Sequence, residues 1–193
     1  SKLEQELFKF ISKYIPSEQS NRIVLDGKEL DIFIPSKNLG IEFNGLYWHS
    51  SKFKNKKDHL DKLNLANSKG IRLIQIFEDE WSNKQEIVKS RLLNILGLTP
   101  NKVYARKTEV REVSIKDTSN FLVTNHIQGK LGAKVRLGLY HNNELVSLMT
   151  FGSLRKNLGY SAKTDHYELL RFCNKLNTNV VGGASKLFKY FVE

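Results

Sequence analysis

Two acids stand inside apolar runs. Asp31 lies in Leu30-Asp31-Ile32-Phe33-Ile34-Pro35, and Glu42 in Leu39-Gly40-Ile41-Glu42-Phe43-Asn44-Gly45. The stretch between them, Pro35-Ser36-Lys37-Asn38, reads as a turn. The two runs are therefore expected to be the strands of a hairpin. Strand side chains alternate faces, so Asp31 shares a face with Phe33, and Glu42 with Asn44. A carboxylate among buried residues is costly unless something positive pairs with it. Two such acids on adjacent strands could converge on one divalent cation, and hard ions such as Mg²⁺ take carboxylate, carbonyl and water oxygens. The plainer alternative is two acids that cap strand ends or pair with lysines. Spacing alone leaves both open.

A second constellation follows downstream. Trp48-His49 is succeeded by a basic loop over residues 50–57 holding Lys52, Lys54, Lys56 and Lys57. Then comes Asp58-His59-Leu60-Asp61-Lys62, in which Asp58, His59 and Lys62 fall roughly on one helical face. An ordinary solvated helix start, with Asp58 near the positive end of the dipole, is the alternative. Near the N-terminus, Glu4 is three residues from Ser1, the spacing of a capping box.

The elements that must position these residues are legible in outline. Leu3, Leu7, Phe10, Ile11 and Tyr14 recur at helical spacing over residues 2–15. Residues 22–25, an Asp26-Gly27 turn and residues 29–35 predict a tight hairpin, and residues 39–44 add a third strand. A helix is expected over 58–69, stopped by Gly70, then a buried strand over 71–77. Glu78, Asp79 and Glu80 precede a further helix ending at Gly97. As acids before a helix they serve its N-terminus. Trp48 and Trp81 are expected in the core. The order is helix, three strands, helix, strand, helix.

Asp31, ten residues, and Glu42-Phe43-Asn44 resemble the D…(D/E)xK core of the restriction-endonuclease-like nucleases, with Asn44 where that family has lysine. Gly45-Leu46-Tyr47-Trp48-His49 resembles the Gly-x-x-Trp-His segment of the very-short-patch-repair mismatch endonucleases. Closer still are phage-type homing endonucleases on that fold with a scattered E-D-x-H-D set. The resemblance covers residues 1–97 and implies a mixed α/β chain with an αβββαβα core. It also implies a metal-dependent DNA endonuclease using Mg²⁺ or Mn²⁺. Asp31 is then the first metal ligand, Glu42 the second or a carboxylate orienting the attacking water, and the Phe43 carbonyl a third. Glu4 matches the acid of the first helix, with Glu6 as the other choice. Asp58 is the last acid of the set, with Asp61 as runner-up. His59 or Lys62 could replace the lysine missing at Asn44. His49 is suited to move a proton near neutral pH.

After residues 98–102, read as a linker, a second unit is expected over 103–193. It comprises a strand over 103–113, a helix capped by Ser114, and a hairpin about His141-Asn142-Asn143. A strand over 167–173 follows, then a helix opened by Gly182-Gly183. Strand, glycine loop and helix form a phosphate-cradling arrangement in general, though tight packing of the turn is the commoner cause. The order is similar to the front part of an acetyltransferase-like domain, whose remaining strands the sequence does not contain. This leaves an acyl-CoA-dependent transferase, or a DNA-binding protein with a degenerate nuclease site, as rival readings.

Composition bears on the partner. The 193 residues carry a net charge of +11, of which residues 101–193 hold +8. Such an excess favours an anionic partner, most often nucleic acid, and the nuclease resemblance makes double-stranded DNA the expected one. His126, Gln128, Lys130, Arg155, Lys156 and Arg171 suit phosphate and base-edge contacts. Cys173 is the only cysteine, so an intrachain disulfide is excluded and an intracellular, cytoplasmic setting is expected, in a host cell if the chain is phage-encoded. No apolar run reaches the length of a membrane span. The lack of an initial methionine and the closing apolar run 187–192 suggest a piece of a longer protein. Oligomeric state and target sequence are not encoded in any motif.

Overall fold

A computed structural model describes residues 1–45, 56–154 and 166–193, without the side chains of Lys56, Lys57 and His59. The chain is mixed α/β and divides into two compact units, Ser1–Val88 and Lys89–Glu193.

The first unit runs α1 (Lys2–Ser12), β1 (Glu18–Asn21), β2 (Leu30–Ile34), β3 (Leu39–Asn44), α2 (Lys56–Ser68), β4 (Arg72–Phe77) and α3 (Glu78–Asn83), then enters α4 (Gln85–Leu96). The strands form one sheet in sequence order. β1–β2 and β2–β3 are antiparallel and β3–β4 is parallel. β3 is thus central, and its residues are almost all buried. Gly40 lets its neighbours close over it, because a Cβ there would meet Leu73 Cδ1 at 3.0 Å and Leu30 Cδ2 at 3.1 Å. The turn from β2 is a single 3₁₀ turn opened by Pro35, and Asn38 takes the left-handed conformation at φ 44°. Both residue types suit those roles.

Two expectations are corrected here. Residues 22–25 are not a strand; β1 lies earlier. The Asn21 side chain accepts the amides of Ile23 and Val24 at 3.0 and 3.1 Å and turns the chain out of the extended state. Glu78, Asp79 and Glu80 belong to a separate short helix, which buries Trp81 beside Phe10. The division between units falls inside α4.

The second unit contains β5 (Asn101–Tyr104), β6 (Glu109–Glu112), α5 (Ile115–Asn125), β7 (Val135–His141), β8 (Glu144–Ser153), β9 (Tyr167–Asn174), β10 (Thr178–Val181) and α6 (Gly183–Val192). β6 to β9 form an antiparallel sheet in sequence order; β5 and β10 form a separate parallel pair. The expected linker already supplies Asn101 and Lys102 to β5. The single strand expected over 103–113 is two. A 3₁₀ turn at Ala105–Lys107 parts them, fixed by Thr108 Oγ1 donating to the Ala105 carbonyl at 2.6 Å. The β7–β8 turn places both Asn142 and Asn143 at positive φ, as a two-residue hairpin requires. Ser114 caps α5 by accepting the Asp117 amide. At the start of α6, Gly182 sits at φ 79°, and a Cβ on Gly183 would meet Val180 Cγ1 at 3.0 Å. Turn geometry and close packing are therefore sufficient reason for the glycine pair.

Candidate active site

The pairing Ile34↔Leu39, Phe33↔Gly40 and Ile32↔Ile41 between β2 and β3, continued one step, sets Asp31 opposite Glu42. Opposed residues of an antiparallel pair point to the same face. At this step the Asp31 carboxylate intervenes in the ladder: the Phe43 amide donates to Asp31 Oδ2 at 2.7 Å. On the other side of β3, Glu42 is in register with Gln75 of β4. The Asn44 amide nitrogen donates to Gln75 Oε1. One face of the sheet thus carries Asp31, Glu42, Asn44 and Gln75.

The cation for this face comes from α2. Ala66 of that helix is buried in a cluster with Leu25, Leu30, Phe33 and Ile71. Lys62 precedes Ala66 by one turn and shares its inward side. Its Nζ lies 2.5 Å from Glu42 Oε2, with side chains only 19% and 11% exposed. Asp58, one turn earlier again, is exposed. Lys62 therefore supplies beside Glu42 the positive charge that Asn44 lacks.

The pair does not exhaust the site. Among the described residues, Glu42 Oε1 is buried and has no hydrogen-bond partner. Burial pushes both carboxyls above the ordinary carboxylate range. In Asp31 the Phe43 amide and Lys62 oppose the rise, while Glu4 and Glu29 add to it. In Glu42 the Lys62 hydrogen bond and charge oppose it, the Asp31 charge adds to it, and the main-chain amide of Asp31 opposes it weakly. The two acids remain short of positive charge. Mg²⁺ is commonly held by one or two carboxylates, with waters filling the octahedron, so this donor set fits such an ion. Among the described residues no group of three His, Cys, Asp or Glu side chains could hold a metal. A cation here would take Asp31, Glu42 and non-carboxylate oxygens.

Glu4 forms the expected capping box with Ser1 and also receives Gln19 Nε2 at 3.4 Å. Its charge reaches Asp31, whereas Glu6 is exposed. His49, Lys52, Lys54, Arg155 and Lys156 lie outside the described residues. His59 falls within α2, and Lys56 and Lys57 open it. In the second unit Gln128 and Lys130 are exposed, and the half-buried His126 accepts the Gln128 amide on Nδ1 at 3.1 Å. Arg171 donates to the carbonyls of Gly129 and Leu170, while Arg136 donates to those of Val113 and Ala133. Both guanidiniums hold main chain in place. Sequence reasoning passed over Gln75. Its signal is an amide in the middle of the apolar strand Leu73-Ile74-Gln75-Ile76.

No family model matches the chain, and no curated protein matches it. Among solved structures, the catalytic domain of the homing endonuclease I-Bth0305I is similar to it at 28% identity. The likeness covers 49% of this chain and 93% of that domain, with a TM-score of 0.41.

Proposed function

We propose that the chain is a metal-dependent endonuclease that hydrolyses the phosphodiester bonds of double-stranded DNA, of the homing or mobile-element kind. The observation that carries this reading is the convergence of Asp31, Glu42 and Lys62 at one sheet face, with Glu42 Oε1 buried and without a hydrogen-bond partner among the described residues. The reading rests on that site and not on the likeness to the endonuclease domain. Bound there, Mg²⁺ or Mn²⁺ supplies charge relief on the phosphate and acidifies water. Asp31 and Glu42 would hold the ion; the Phe43 amide fixes the Asp31 carboxylate, and the Phe43 carbonyl would be the third candidate ligand. Lys62 fixes Glu42 and brings positive charge toward the phosphate. Glu4 adds negative charge that favours cation binding. His49 and Asp58 are proposed in proton transfer and site assembly on their motif positions. The basic second unit holds the DNA.

Plasmid DNA incubated with the full chain tests this. Nicking or cutting in Mg²⁺, absent in EDTA and lost in Asp31→Asn and Glu42→Gln, is expected. Tight DNA binding without any cutting would favour a degenerate site. Acetyl-CoA binding without DNA binding would favour the transferase.

A further inference from the structure

The parallel pair β5–β10 has one face in the core, where Val180 is buried and Val103 packs against the same cluster. Alternation turns Lys102, Tyr104, Asn179 and Val181 to the other face. Lys102, Tyr104 and Val181 are exposed there. Lys102 Nζ and the Arg106 guanidinium each lie 5.2 Å from the centroid of the Tyr104 ring, within cation–π range. One exposed ring thus organises two cations. Among the described residues neither cation has a carboxylate partner, and Arg111 occupies the nearby Glu109. The surrounding sequence is free of acids from residue 98 to 108 and from 169 to 192. The first turn of α6 opens beside this ribbon, since a Cβ on Gly182 would stand 3.7 Å from Ala105 Cβ.

We infer that the outer face of the β5–β10 ribbon is a docking surface for the phosphate backbone of duplex DNA, with Lys102 and Arg106 as the phosphate contacts and Tyr104 as the residue that pre-positions them. This deepens the DNA reading above and assigns the grip to residues other than the 126–130 loop. Phosphate contacts set register on the duplex and carry no sequence information themselves. A fixed pair of cations loses less freedom on binding than two solvated side chains do.

The test is fluorescence anisotropy of a labelled duplex with the full chain in EDTA, over a salt titration. Two lost phosphate contacts flatten the slope of log affinity against log salt by about 1.8, which at 0.1 M salt is roughly a 60-fold loss. Lys102→Glu with Arg106→Glu is expected to lose at least this much. Tyr104→Leu should lose about 2–5-fold per cation released, while Tyr104→Phe keeps wild-type affinity. The charge-matched control Lys28→Glu with Lys116→Glu should change the slope far less. An unchanged slope in the ribbon variant, an equal loss in the control, or a loss confined to single-stranded probe overturns the inference. The same proteins are then assayed in Mg²⁺. Ribbon-dependent binding without cutting would refute the nuclease reading alone. Cutting with ribbon-independent binding would refute the ribbon alone.

Discussion

Replacing Lys62 by methionine keeps the stem of the side chain and removes its charge. At 2.5 Å from Glu42 Oε2, the gross attraction at an effective dielectric of 20 is about 6–7 kcal/mol. Desolvation offsets much of it in the intact pair. Removing one partner is different, because it leaves the other bare, at a cost of about 3–5 kcal/mol when fully buried. The small residual exposure of both groups reduces that, so about 2–4 kcal/mol is expected near pH 8. Among the described residues Glu42 Oε1 has no hydrogen-bond partner, and the variant takes the lysine from the other oxygen as well. The Glu42 pKa, raised by burial in the native site, then rises further. A carboxyl with a raised folded pKa stabilises the fold when protonated, and that stability is lost as pH rises through the folded pKa. The Lys62→Met penalty must therefore shrink as pH falls through the raised Glu42 pKa of the variant. Urea unfolding in EDTA at several pH values measures it, and Glu42→Gln with Lys62→Met closes the double-mutant cycle. A penalty below about 0.5 kcal/mol near pH 8, the range of a surface pair, refutes the reasoning. So does one that persists in the Glu42→Gln background.

Three further outcomes follow from the same site and core. Asp31→Asn should raise the melting temperature in metal-free buffer near neutral pH, since it removes a charge that burial disfavours; a lower temperature contradicts this. Asn44→Leu leaves Gln75 Oε1 without its donor and should cost about 1–3 kcal/mol, whereas adding Gln75→Leu should recover part of the loss; denaturant unfolding reads both. Burial pushes the Cys173 thiol up to about 12, so alkylation near pH 8 should run about 10³-fold slower in the folded chain than in the unfolded one; equal rates would contradict this.

What could be read from the sequence was whatever its local chemistry decides. Pro35 and Asn38 mark their turn by residue type, as do Asn142 and Asn143, and Ser114 and Glu4 mark their helix starts. The Asp31–Glu42 juxtaposition follows from turn length and the period of two. The misplaced strands were decided by one side chain each, bonding to nearby main chain. Asn21 draws in two amides, and Thr108 closes the turn that parts β5 from β6. Neither side chain has a spacing that distinguishes it from a residue within a strand. Gln75 was hidden because its place beside Glu42 depends on the register of a parallel pair, which no turn fixes. Lys62 was one of two choices with His59. What draws it inward is Ala66 in the core one turn later. Arg171 has the composition of a DNA contact, but loop carbonyls bind its guanidinium.

The central claim is that the Asp31–Glu42–Lys62 face is a cation-dependent hydrolytic site. Single-turnover cleavage of a plasmid at saturating protein, across a Mg²⁺ titration, tests it most directly. The account predicts no cutting in EDTA and a rate that rises with Mg²⁺ and saturates. Asp31→Asn and Glu42→Gln should lose at least about 10²-fold in rate with DNA affinity retained. A wild-type rate that is the same in EDTA, or an Asp31→Asn protein that cuts as fast as the wild type, contradicts it.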